Sequence, residues 1–573
     1  MPADDGGERA QDASASARSF QGDTDVEPGD GTVERFGFEF HPVVVPVSIA
    51  LVASVVAVTV TLGEDAATWY GGVSTFVDGT FGSFYVLAMN AFVLSLSYFG
   101  ISKYGRITLG AADADPEFST ASWLSMLFTA GMGIGLLFFG VAEPMYHFLS
   151  GGGSFFHVPP ESPAAGRAAT ALTMFHWGFH PWAVYGVVGL GLAFFAYNRG
   201  LPLSFRSVLY PVLGDRVYGW PGHAIDLAAV VATVFGLATT TGLAAVQINA
   251  GLDFLARHYF GTGVATDTRS AALVVVVLVG GTTLSVVAGL ERGIERLSRL
   301  NVGLMLTLLL FVGLVGPTVY LLDVFNAGVG AYLGNLLELS FYTEAFADGD
   351  AGWQHDWTIF YWGFWTSWAP FVGLFLARIS KGRTVRQFVA GVLFVPAAFS
   401  LVWMAVFGGA SLFVELEAGG GITGPLQEYG RGVALFELLS HYPLTAATSV
   451  VATATLVTFF VTSTDSGSLA ISYLATGGKH ETTTRQRVVW PVLFGATAGA
   501  LLLGNGLAAL QTAVTTAGLP FATIALVTVY TTYRGLERER AIRNEAAPRD
   551  GARRSDEESA AAEPTSLERP GDE

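Results

Sequence analysis

The chain has 573 residues, of which 51% are hydrophobic and only 13% charged, with a mean hydropathy of +0.48 and a formal net charge of −17. A composition this apolar indicates a protein that crosses a membrane many times, and it excludes a series of ordinary soluble domains. The sequence contains no cysteine, which excludes disulfides, zinc–thiolate sites and thiol catalysis.

The basic side chains are almost all arginine. Among 30 basic residues, the only lysines are Lys103, Lys381 and Lys479. An acid-rich, lysine-poor surface keeps a protein hydrated in concentrated salt, so the composition predicts a halophilic source. The alternative is that the negative charge merely reflects two acidic tails.

Two polar tails flank the apolar part of the chain. Residues 1–40 are acidic and contain Gly, Ser and Pro, which predicts a disordered cytoplasmic tail, and they lack the apolar core of a cleavable signal peptide. Residues 535–573 mix arginine with acidic residues and predict a second cytoplasmic tail, either simply solvated or able to sense anionic lipid. Residues 41–534 are predicted to form one membrane domain.

Twelve apolar runs in this domain are long enough to cross the hydrocarbon core. They lie at about 43–62, 82–102, 121–148, 168–197, 224–256, 271–290, 303–323, 357–377, 387–414, 445–474, 487–504 and 508–533. With the N-terminus inside, the inner loops hold 15 Lys and Arg residues and the outer loops 4, which predicts cytoplasmic termini. Two further segments are predicted to be helical without spanning: residues 326–346 along the outer surface and residues 292–300 on the inner side.

The third run contains a glycine at every second position from Gly131 through Gly133 to Gly135. Each glycine weakens a helix by about 1 kcal/mol, so the run predicts a local unwinding that offers backbone carbonyls to something small. A close helix–helix contact is the alternative reading of the same glycines.

Aromatic residues cluster in the fourth and eighth runs. Trp177, Trp182 and Tyr185 fall within an arc of about 140° on a helix that Pro181 should bend, which predicts a concave aromatic wall. In the eighth run, Trp365 lies in a stripe of tryptophans spaced three residues apart. Such rings bind quaternary ammonium groups by cation–π attraction. An aromatic belt at the membrane interface, or a stripe facing lipid, is the alternative.

Two longer motifs accompany these features. Residues 356–365 read Asp-Trp-Thr-Ile-Phe-Tyr-Trp-Gly-Phe-Trp, and residues 459–467 read Phe-Phe-Val-Thr-Ser-Thr-Asp-Ser-Gly. With the glycine run and the fourth-run aromatics, they make the chain resemble the betaine/choline/carnitine transporter family over about residues 40–535. The first motif departs from the family at Phe364, where the family has Trp.

The resemblance implies an all-α polytopic membrane protein with twelve transmembrane helices and a LeuT-like fold. Two inverted repeats of five helices, at about residues 121–323 and 357–533, would follow two extra helices, with substrate and ion near the membrane midplane. The resemblance also implies a homotrimer in the cell membrane, in contact with lipid. We expect no bound cofactor and no nucleic-acid partner.

The resemblance further assigns residues to sites. The positions that would bind substrate are Trp177, Trp182, Tyr185, Trp365, Trp368, Gly131, Met132, Gly133 and Gly135. The positions that would bind a sodium ion are Thr129, Ala130, Met132, Phe459, Thr462 and Ser463. Oxygen donors of this kind suit a hard cation. A second sodium site of some members would use Thr233, Leu237 and Phe371, and because leucine supplies no oxygen we expect it to be impaired.

Three weaker signals remain. His176 and His180 have the i, i+4 spacing of a metal pair, but no third ligand follows at a suggestive spacing, so they favour hydrogen bonding between helices over a metal or a proton relay. Glu143 and Asp465 lie in or near spans, where ionisable residues are functional candidates; pairing with an arginine such as Arg378 is equally natural. The sequence contains no Walker A motif and no recognisable hydrolase arrangement, so we expect neither an ATP-driven pump nor an enzyme.

These expectations indicate a sodium-coupled secondary transporter that imports glycine betaine, or a related quaternary-ammonium compatible solute, for osmoprotection. Gly135 favours betaine, because proton-coupled choline carriers of the family tend to have Asp there. The alternative within this class is a choline, carnitine or ectoine transporter, proton-coupled or acting as an exchanger. From other classes, the same helices could form a ligand-gated channel or a non-transporting osmosensor.

Overall fold

The computed structural model describes residues 31–35, 37–129, 133–287, 291–347, 352–478 and 483–546. Nearly all of these residues are helical. Within them, β structure is limited to an antiparallel hairpin, β1 (Val33–Arg35) with β2 (Phe38–Phe40), and an isolated bridge between Thr108 and Thr384. Most of both predicted tails, residues 1–30 and 547–573, lies outside the described residues.

The helices follow one another with short connections. Those of the first half are α1 (Val44–Leu62), α2 (Ala66–Ile101), α3 (Thr120–Thr129), α4 (Ile134–Leu149), α5 (Pro163–Trp177), α6 (Phe179–Arg199), α7 (Trp220–Phe260), α8 (Thr268–Val287) and α9 (Glu291–Val315). Those of the second half are α10 (Thr318–Gly334), α11 (Leu336–Phe341), α12 (Phe360–Ile379), α13 (Val385–Glu417), α14 (Ala434–Ser440), α15 (Thr445–Ala475) and α16 (Thr484–Ala546). Short helical segments lie at Gly63–Asp65, Lys103–Arg106, Gly153–Phe156, Phe205–Val208, Tyr210–Leu213, Gly214–Tyr218, His355–Ile359, Thr423–Tyr429 and Arg431–Val433.

Eight helical segments of the described chain are long and apolar enough to cross a membrane. They are Val44–Leu62, Ala66–Ile101, Pro163–Arg199, Trp220–Phe260, Arg296–Val315, Val385–Glu417, Thr445–Ala475 and Arg485–Glu545. The other predicted runs also fall on helices: the third is divided between α3 and α4, the sixth coincides with α8, and the eighth coincides with α12. The eleventh and twelfth share α16, which leaves helical geometry at Asn505 and at Gly506, where φ is +59°.

The fourth run is broken where its sequence predicts a bend. α5 ends at Trp177 and α6 begins at Phe179, because Pro181 has no N–H to donate to the carbonyl of Trp177. The hydroxyl of Tyr332 in α10 accepts the freed N–H of Phe179 at 3.2 Å. A Cβ on Gly178 would lie 2.5 Å from that hydroxyl oxygen, so the break needs glycine.

The region after the sixth run differs from the sequence prediction. The basic residues 292–300 do not form a separate short helix but begin α9, which ends at Val315 rather than near residue 323. The next helix, α10, begins at Thr318, ahead of the predicted surface helix at 326–346. Pro317 explains this boundary, because a proline restricts the residue before it and cannot continue the hydrogen-bonding pattern of α9.

The structure also differs from the predicted tails at the ends that adjoin the membrane domain. Residues 31–40, expected to be disordered, contain the β1–β2 hairpin, which lies near the start of α16: the side chain of Gln486 donates to the carbonyl of Glu39. Just after the hairpin, His41 donates its backbone N–H to the carbonyl of Ala475 at 2.9 Å. At the other end, α16 continues past residue 535 to Ala546, where Glu539 pairs with Arg199 at 2.7 Å.

The long helix α7 lies at the centre of the packing and contacts α12, α15 and α16. α12 also packs along α6, and α4 packs against α5 and α13. This arrangement brings the broken segments α4, α5 and α6 to the same region as α12 and α15, which is where the candidate site lies.

Candidate functional site

The walls of the candidate site are aromatic rings of α5, α6 and α12. The indole of Trp365 lies edge-on to that of Trp177, with 4.9 Å between ring centroids and 78° between ring planes. Tyr185 lies edge-on to Trp365 at 6.5 Å. Trp365 is held in place by donating its indole N–H to the backbone carbonyl of His176 at 3.1 Å. The three rings are nearly fully buried and form a concave wall, a geometry that suits an ammonium group.

These rings line one end of a cavity of about 580 Å³, together with Gly133 and Gly135. The fourth predicted ring, Trp182, packs edge-on against Tyr185 at 5.5 Å and does not line this cavity. Three of the four rings assigned from the family are therefore together around one space, and the fourth supports them from behind.

The glycines of the third run allow this close packing. A Cβ on Gly135 would lie 2.7 Å from the tip of the Trp177 indole, and a Cβ on Gly133 would lie 2.8 Å from the ring of Phe459. At both positions, an aromatic ring therefore occupies the space that a side chain on the glycine would need. Gly131 and Met132, the other two substrate positions assigned to this run, lie outside the described residues.

The cavity continues from the cage formed by Trp177, Tyr185 and Trp365 toward the side that the loop charges predict to be cytoplasmic. Trp368 and Phe364 line its middle, with 6.2 Å between their rings, and Trp368 donates to the carbonyl of Gly236 at 3.2 Å. Glu117 and Arg378 line its far end. The position where the family has Trp is thus filled by a smaller ring that still faces the cavity.

The opposite side of the cage is filled by side chains. The guanidinium of Arg431 lies between two rings, 4.9 Å from the centroid of Tyr146 and 4.6 Å from that of Trp357. Next to this pair, the ring centroid of His147 lies 4.6 Å from that of Trp357 and 5.5 Å from that of Trp353. The cage is accordingly closed on the predicted outer side and open on the inner side.

A buried carboxylate lies directly behind the cage. Glu143 in α4 is fully buried, and its Oε2 accepts the indole N–H of Trp177 at 2.8 Å and the hydroxyl of Tyr361. Its Oε1 lies 2.6 Å from Nδ1 of His176 and 3.4 Å from Nε2 of His147. Glu143 was a candidate in the sequence, with pairing to an arginine such as Arg378 as an equally natural alternative; in the structure its neighbours are an indole, a phenol and two imidazoles.

This cluster has the composition of a metal site. Glu143, His147 and His176 each place one ligand atom within 4.8 Å of the others. However, Trp353 donates its indole N–H to Nδ1 of His147 at 3.3 Å, so the ring hydrogen of His147 belongs on Nε2, the atom that faces Glu143. A nitrogen that carries hydrogen has no lone pair for a metal, so His147 would have to lose this hydrogen before it could bind one.

The predicted i, i+4 relation of His176 and His180 does not place their rings together on one helix face, because α5 and α6 are separated at Gly178. His176 bonds Glu143 and lies 3.0 Å from the hydroxyl of Thr358. His180 instead stacks on Trp362 at 4.9 Å and contacts the Ser340 hydroxyl at 3.3 Å. The two histidines therefore belong to different contacts.

Part of the predicted sodium site lies on the cavity wall. Phe459, Thr462 and Ser463 of α15 line the cavity. Of the positions assigned to the other half of this site, Ala130 and Met132 lie outside the described residues, as does the side chain of Thr129.

The structure adds a residue to this region that the sequence did not single out. Asn301 of α9 donates its side-chain N–H to the Thr462 hydroxyl at 2.9 Å, and it also lines the cavity. Its amide oxygen is buried and has no hydrogen-bond partner in the part of the chain that the structure describes. Asn301 precedes the apolar part of α9, where only the basic residues nearby drew attention.

At the second predicted sodium position, a hydrocarbon side chain fills the space. Leu237 is buried, and a Cβ on Gly467 would lie 2.5 Å from its Cδ1 atom. The Thr233 hydroxyl donates to the carbonyl of Ala229 at 2.7 Å. Phe371 lines the cavity, as the family assignment requires.

Asp465 is the other ionisable residue that the sequence singled out. It pairs with Arg487 at 2.7 Å, whereas Arg378 lies over the ring of Tyr473 at 5.8 Å. For Asp465 the structure therefore shows the alternative of an arginine partner, with Arg487 rather than Arg378 in that place. Both residues lie at the inner end of the cavity.

Comparison with known proteins identifies a family and several relatives that this chain matches. Residues 43–541 match the model of the betaine/carnitine/choline family of transporters. A glycine betaine/proline/choline transporter of Vibrio parahaemolyticus is 40% identical over 545 residues, covering 92% of this chain and 96% of the relative. A glycine betaine transporter of the same organism is 40% identical over 90% of this chain and 98% of its own length. One of Acinetobacter baylyi is 39% identical over 87% of this chain and 73% of its own length.

Proposed function

Because the chain belongs to the betaine/carnitine/choline family of transporters, we propose that it imports glycine betaine across the cell membrane together with sodium ions. Members of this family are membrane transporters rather than enzymes. The observation that carries the choice of substrate is the edge-on pair of Trp177 and Trp365 with Tyr185, set on a cavity of about 580 Å³. Three electron-rich rings hold a trimethylammonium group by cation–π attraction without a paired carboxylate.

Names of relatives support the substrate class. Glycine betaine is part of the names of three relatives that match this chain at 39–40% identity, and choline and proline are part of one of them. Gly135 favours glycine betaine over choline, because no acidic side chain is offered at that position. Choline, proline or ectoine import is the second candidate, and a relative named for transport of all of these with glycine betaine is 38% identical.

The proposed architecture has twelve transmembrane helices, with inverted repeats at about residues 121–323 and 357–533 after two extra helices. The non-helical Gly133 before α4, the break between α5 and α6 and the one within α16 support it, because discontinuous helices surround substrate and ion in transporters of this type. Cytoplasmic termini, contacts with lipid and assembly as a homotrimer complete the proposal.

Coupling to sodium is proposed at the inner wall of the cavity. The backbone oxygen of Phe459 and the hydroxyls of Thr462 and Ser463 supply oxygen ligands there, the type that a hard cation takes. The uncommitted amide oxygen of Asn301 adds a further donor in the same region. With sodium as the driving ion, the protein would accumulate a compatible solute, and its acidic composition suits a halophile that needs one.

Uptake of labelled glycine betaine into proteoliposomes, with and without an inward sodium gradient, tests the proposal. We expect uptake that depends on the gradient and is competed by unlabelled betaine. Uptake that is driven equally well by a proton gradient alone would replace sodium by protons. Binding without uptake would instead support an osmosensor, and currents far above one charge per betaine would support a channel.

A further inference from the structure

The buried carboxylate behind the cage is not explained by the transport of betaine as such. Glu143 is fully buried, and within the described residues its close neighbours are the Trp177 indole, the Tyr361 phenol and the imidazoles of His147 and His176. No lysine or arginine pairs with it in this part of the chain. Burying a carboxylate in a membrane protein is costly, so its presence calls for a compensating role.

Two of these neighbours connect the carboxylate to two adjacent rings of the cage. Trp177 is itself a cage ring, and its indole N–H points at Glu143 Oε2 across 2.8 Å. Tyr361 donates to the same oxygen, and its ring stacks on Trp365 with 5.6 Å between centroids and an angle of 18°. One carboxylate oxygen thus sets the orientation of Trp177 directly and of Trp365 through Tyr361.

The indole and phenol hydrogen bonds satisfy Oε2 without neutralising the carboxylate, because neither donor carries a positive charge. Nε2 of His147 lies 3.4 Å from Oε1 but makes no hydrogen bond to it. The guanidinium of Arg431 is engaged between Tyr146 and Trp357 on the predicted outer side. A negative charge therefore lies behind the indole of Trp177, on the far side from the space that the cage surrounds.

Building on the proposed function, we infer that Glu143 is a positioning residue of the substrate site that also selects for positive charge. Its carboxylate orients Trp177 and Tyr361, and its charge stabilises the ammonium group held in front of them. A negative charge hydrogen-bonded to the indole N–H also makes the ring face more electron-rich, which strengthens cation–π attraction. The ligand class that gains most is an organic cation with net positive charge.

Choline and glycine betaine share the trimethylammonium group but differ in net charge. Choline carries a net positive charge, whereas glycine betaine also carries a carboxylate that Glu143 repels. Neutralising Glu143 should therefore weaken choline binding more than glycine betaine binding, because charges interact over distances beyond direct contact in a low-dielectric site. A role in packing alone would weaken both ligands by the same factor.

The test measures dissociation constants of both ligands for the purified full-length protein and for Glu143→Gln. We expect the ratio of the choline to the glycine betaine dissociation constant to rise about tenfold in the variant. Glu143→Asp keeps the charge and should keep the ratio near that of the unmodified protein, even where both affinities fall. Glu338→Gln, an exposed glutamate away from the cage, is the matched control and should change neither constant.

An unchanged ratio in Glu143→Gln would overturn the inference while leaving betaine transport intact. If the unmodified protein binds neither ligand, the proposed function fails instead.

Infrared difference spectra of the unmodified protein provide a second test if Glu143→Gln does not fold or choline binds too weakly to measure. Binding of glycine betaine labelled with carbon-13 at its carboxyl group should shift a protein carboxylate band, and Glu143→Asp should move that band. Absence of the shift would also overturn the inference.

Discussion

Asn301 donates its side-chain N–H to the hydroxyl of Thr462 across 2.9 Å, which joins α9 to α15 at the inner wall of the cavity. The Thr462 hydroxyl also lies 3.1 Å from the carbonyls of Thr458 and Phe459 and donates to them. The hydroxyl is therefore oriented from two sides, with its hydrogen directed into its own helix. The contact ties the proposed sodium ligands to a second helix that the sequence did not associate with the ion.

Removing the two hydroxyls of α15 should abolish the effect of sodium. Thr462→Ala combined with Ser463→Ala takes two oxygens from a small coordination shell, and a desolvated cation needs nearly all of its oxygens replaced. We expect betaine uptake that no longer responds to a sodium gradient in proteoliposomes. Thr307→Ala, an exposed threonine of α9, should leave the response unchanged. Full stimulation in the double variant would show that the ion binds elsewhere.

A single sodium site predicts a sodium dependence without cooperativity. Leu237→Thr should make the curve of uptake against sodium concentration steeper, because it adds an oxygen at the position that Leu237 fills with hydrocarbon. Leu237→Val is the matched control, since valine has nearly the shape of threonine but no oxygen. A sigmoidal curve in the unmodified protein, or equal steepening by both variants, would contradict the single-site prediction.

Trp365 should contribute more to betaine affinity than any exposed tryptophan. Trp365→Ala removes one wall of the cage and should weaken betaine binding at least tenfold, or about 1.4 kcal/mol. Trp365→Phe keeps an aromatic face and should be milder. Trp220→Ala removes a tryptophan that is 77% exposed and serves as the control. Unchanged binding by Trp365→Ala, measured by calorimetry, would exclude the aromatic cage.

A side chain at Gly135 should displace Trp177. Gly135→Ala places a Cβ 2.7 Å from the tip of that indole, which Glu143 holds by a hydrogen bond, so betaine affinity should fall about tenfold. Gly135→Asp causes the same displacement and adds a carboxylate, so it should favour choline relative to betaine while weakening betaine. Gly280→Ala, where a Cβ meets nothing within 4 Å, is the control. Undiminished betaine binding by Gly135→Ala would show that Trp177 can shift at no cost.

The segment before α1 should loosen in acid. Burial, and then the charges of Arg206 and His223, lower the pKa of His41 from 6.5 to about 4. Its Nδ1 accepts the N–H groups of Val43 and Val44 at 3.3 Å each, which requires that nitrogen to be unprotonated.

Because the folded pKa of His41 lies below the unfolded value, the stabilisation is complete above about pH 6.5 and is lost as pH falls through about 4. We expect a loss on the order of 1 kcal/mol over this range, allowing for screening by solvent. Thermal unfolding curves of the unmodified protein and His41→Gln should converge as pH falls. His157→Gln, an exposed histidine, should run parallel to the unmodified protein at every pH. Curves that stay equally far apart would contradict the prediction.

The sequence predicted the helical segments well where a single pattern decides them. Pro181 located the break at Gly178 to within three residues, because a missing N–H acts on one identifiable carbonyl. The predicted ends of spans were wrong where apolar residues continue through a turn. Because the sequence stays apolar beyond Val315, its hydropathy did not indicate the helix boundary at Pro317. Hydropathy averages over many residues and cannot report where one helix ends and the next begins.

The candidate site was predicted in part. The tryptophans of the cage were identified because their spacing and the family motifs agree, but the position of Trp182 behind Tyr185 depends on packing between helices. Glu143 was singled out as a buried ionisable residue, yet its partners come from α5 and α12, distant in sequence. Asn301 gave no signal at all, because one polar residue at the end of a basic stretch resembles any loop residue.

Arg431 has a consequence for the order of events in a transport cycle. Its guanidinium lies over the faces of Tyr146 and Trp357, on the side of the cage that the loop charges predict to be outer. In the proposed import of glycine betaine, the protein's own cation would compete with incoming solute for these two rings. An ammonium group could then bind them only after Arg431 leaves, which would separate release of one molecule from binding of the next.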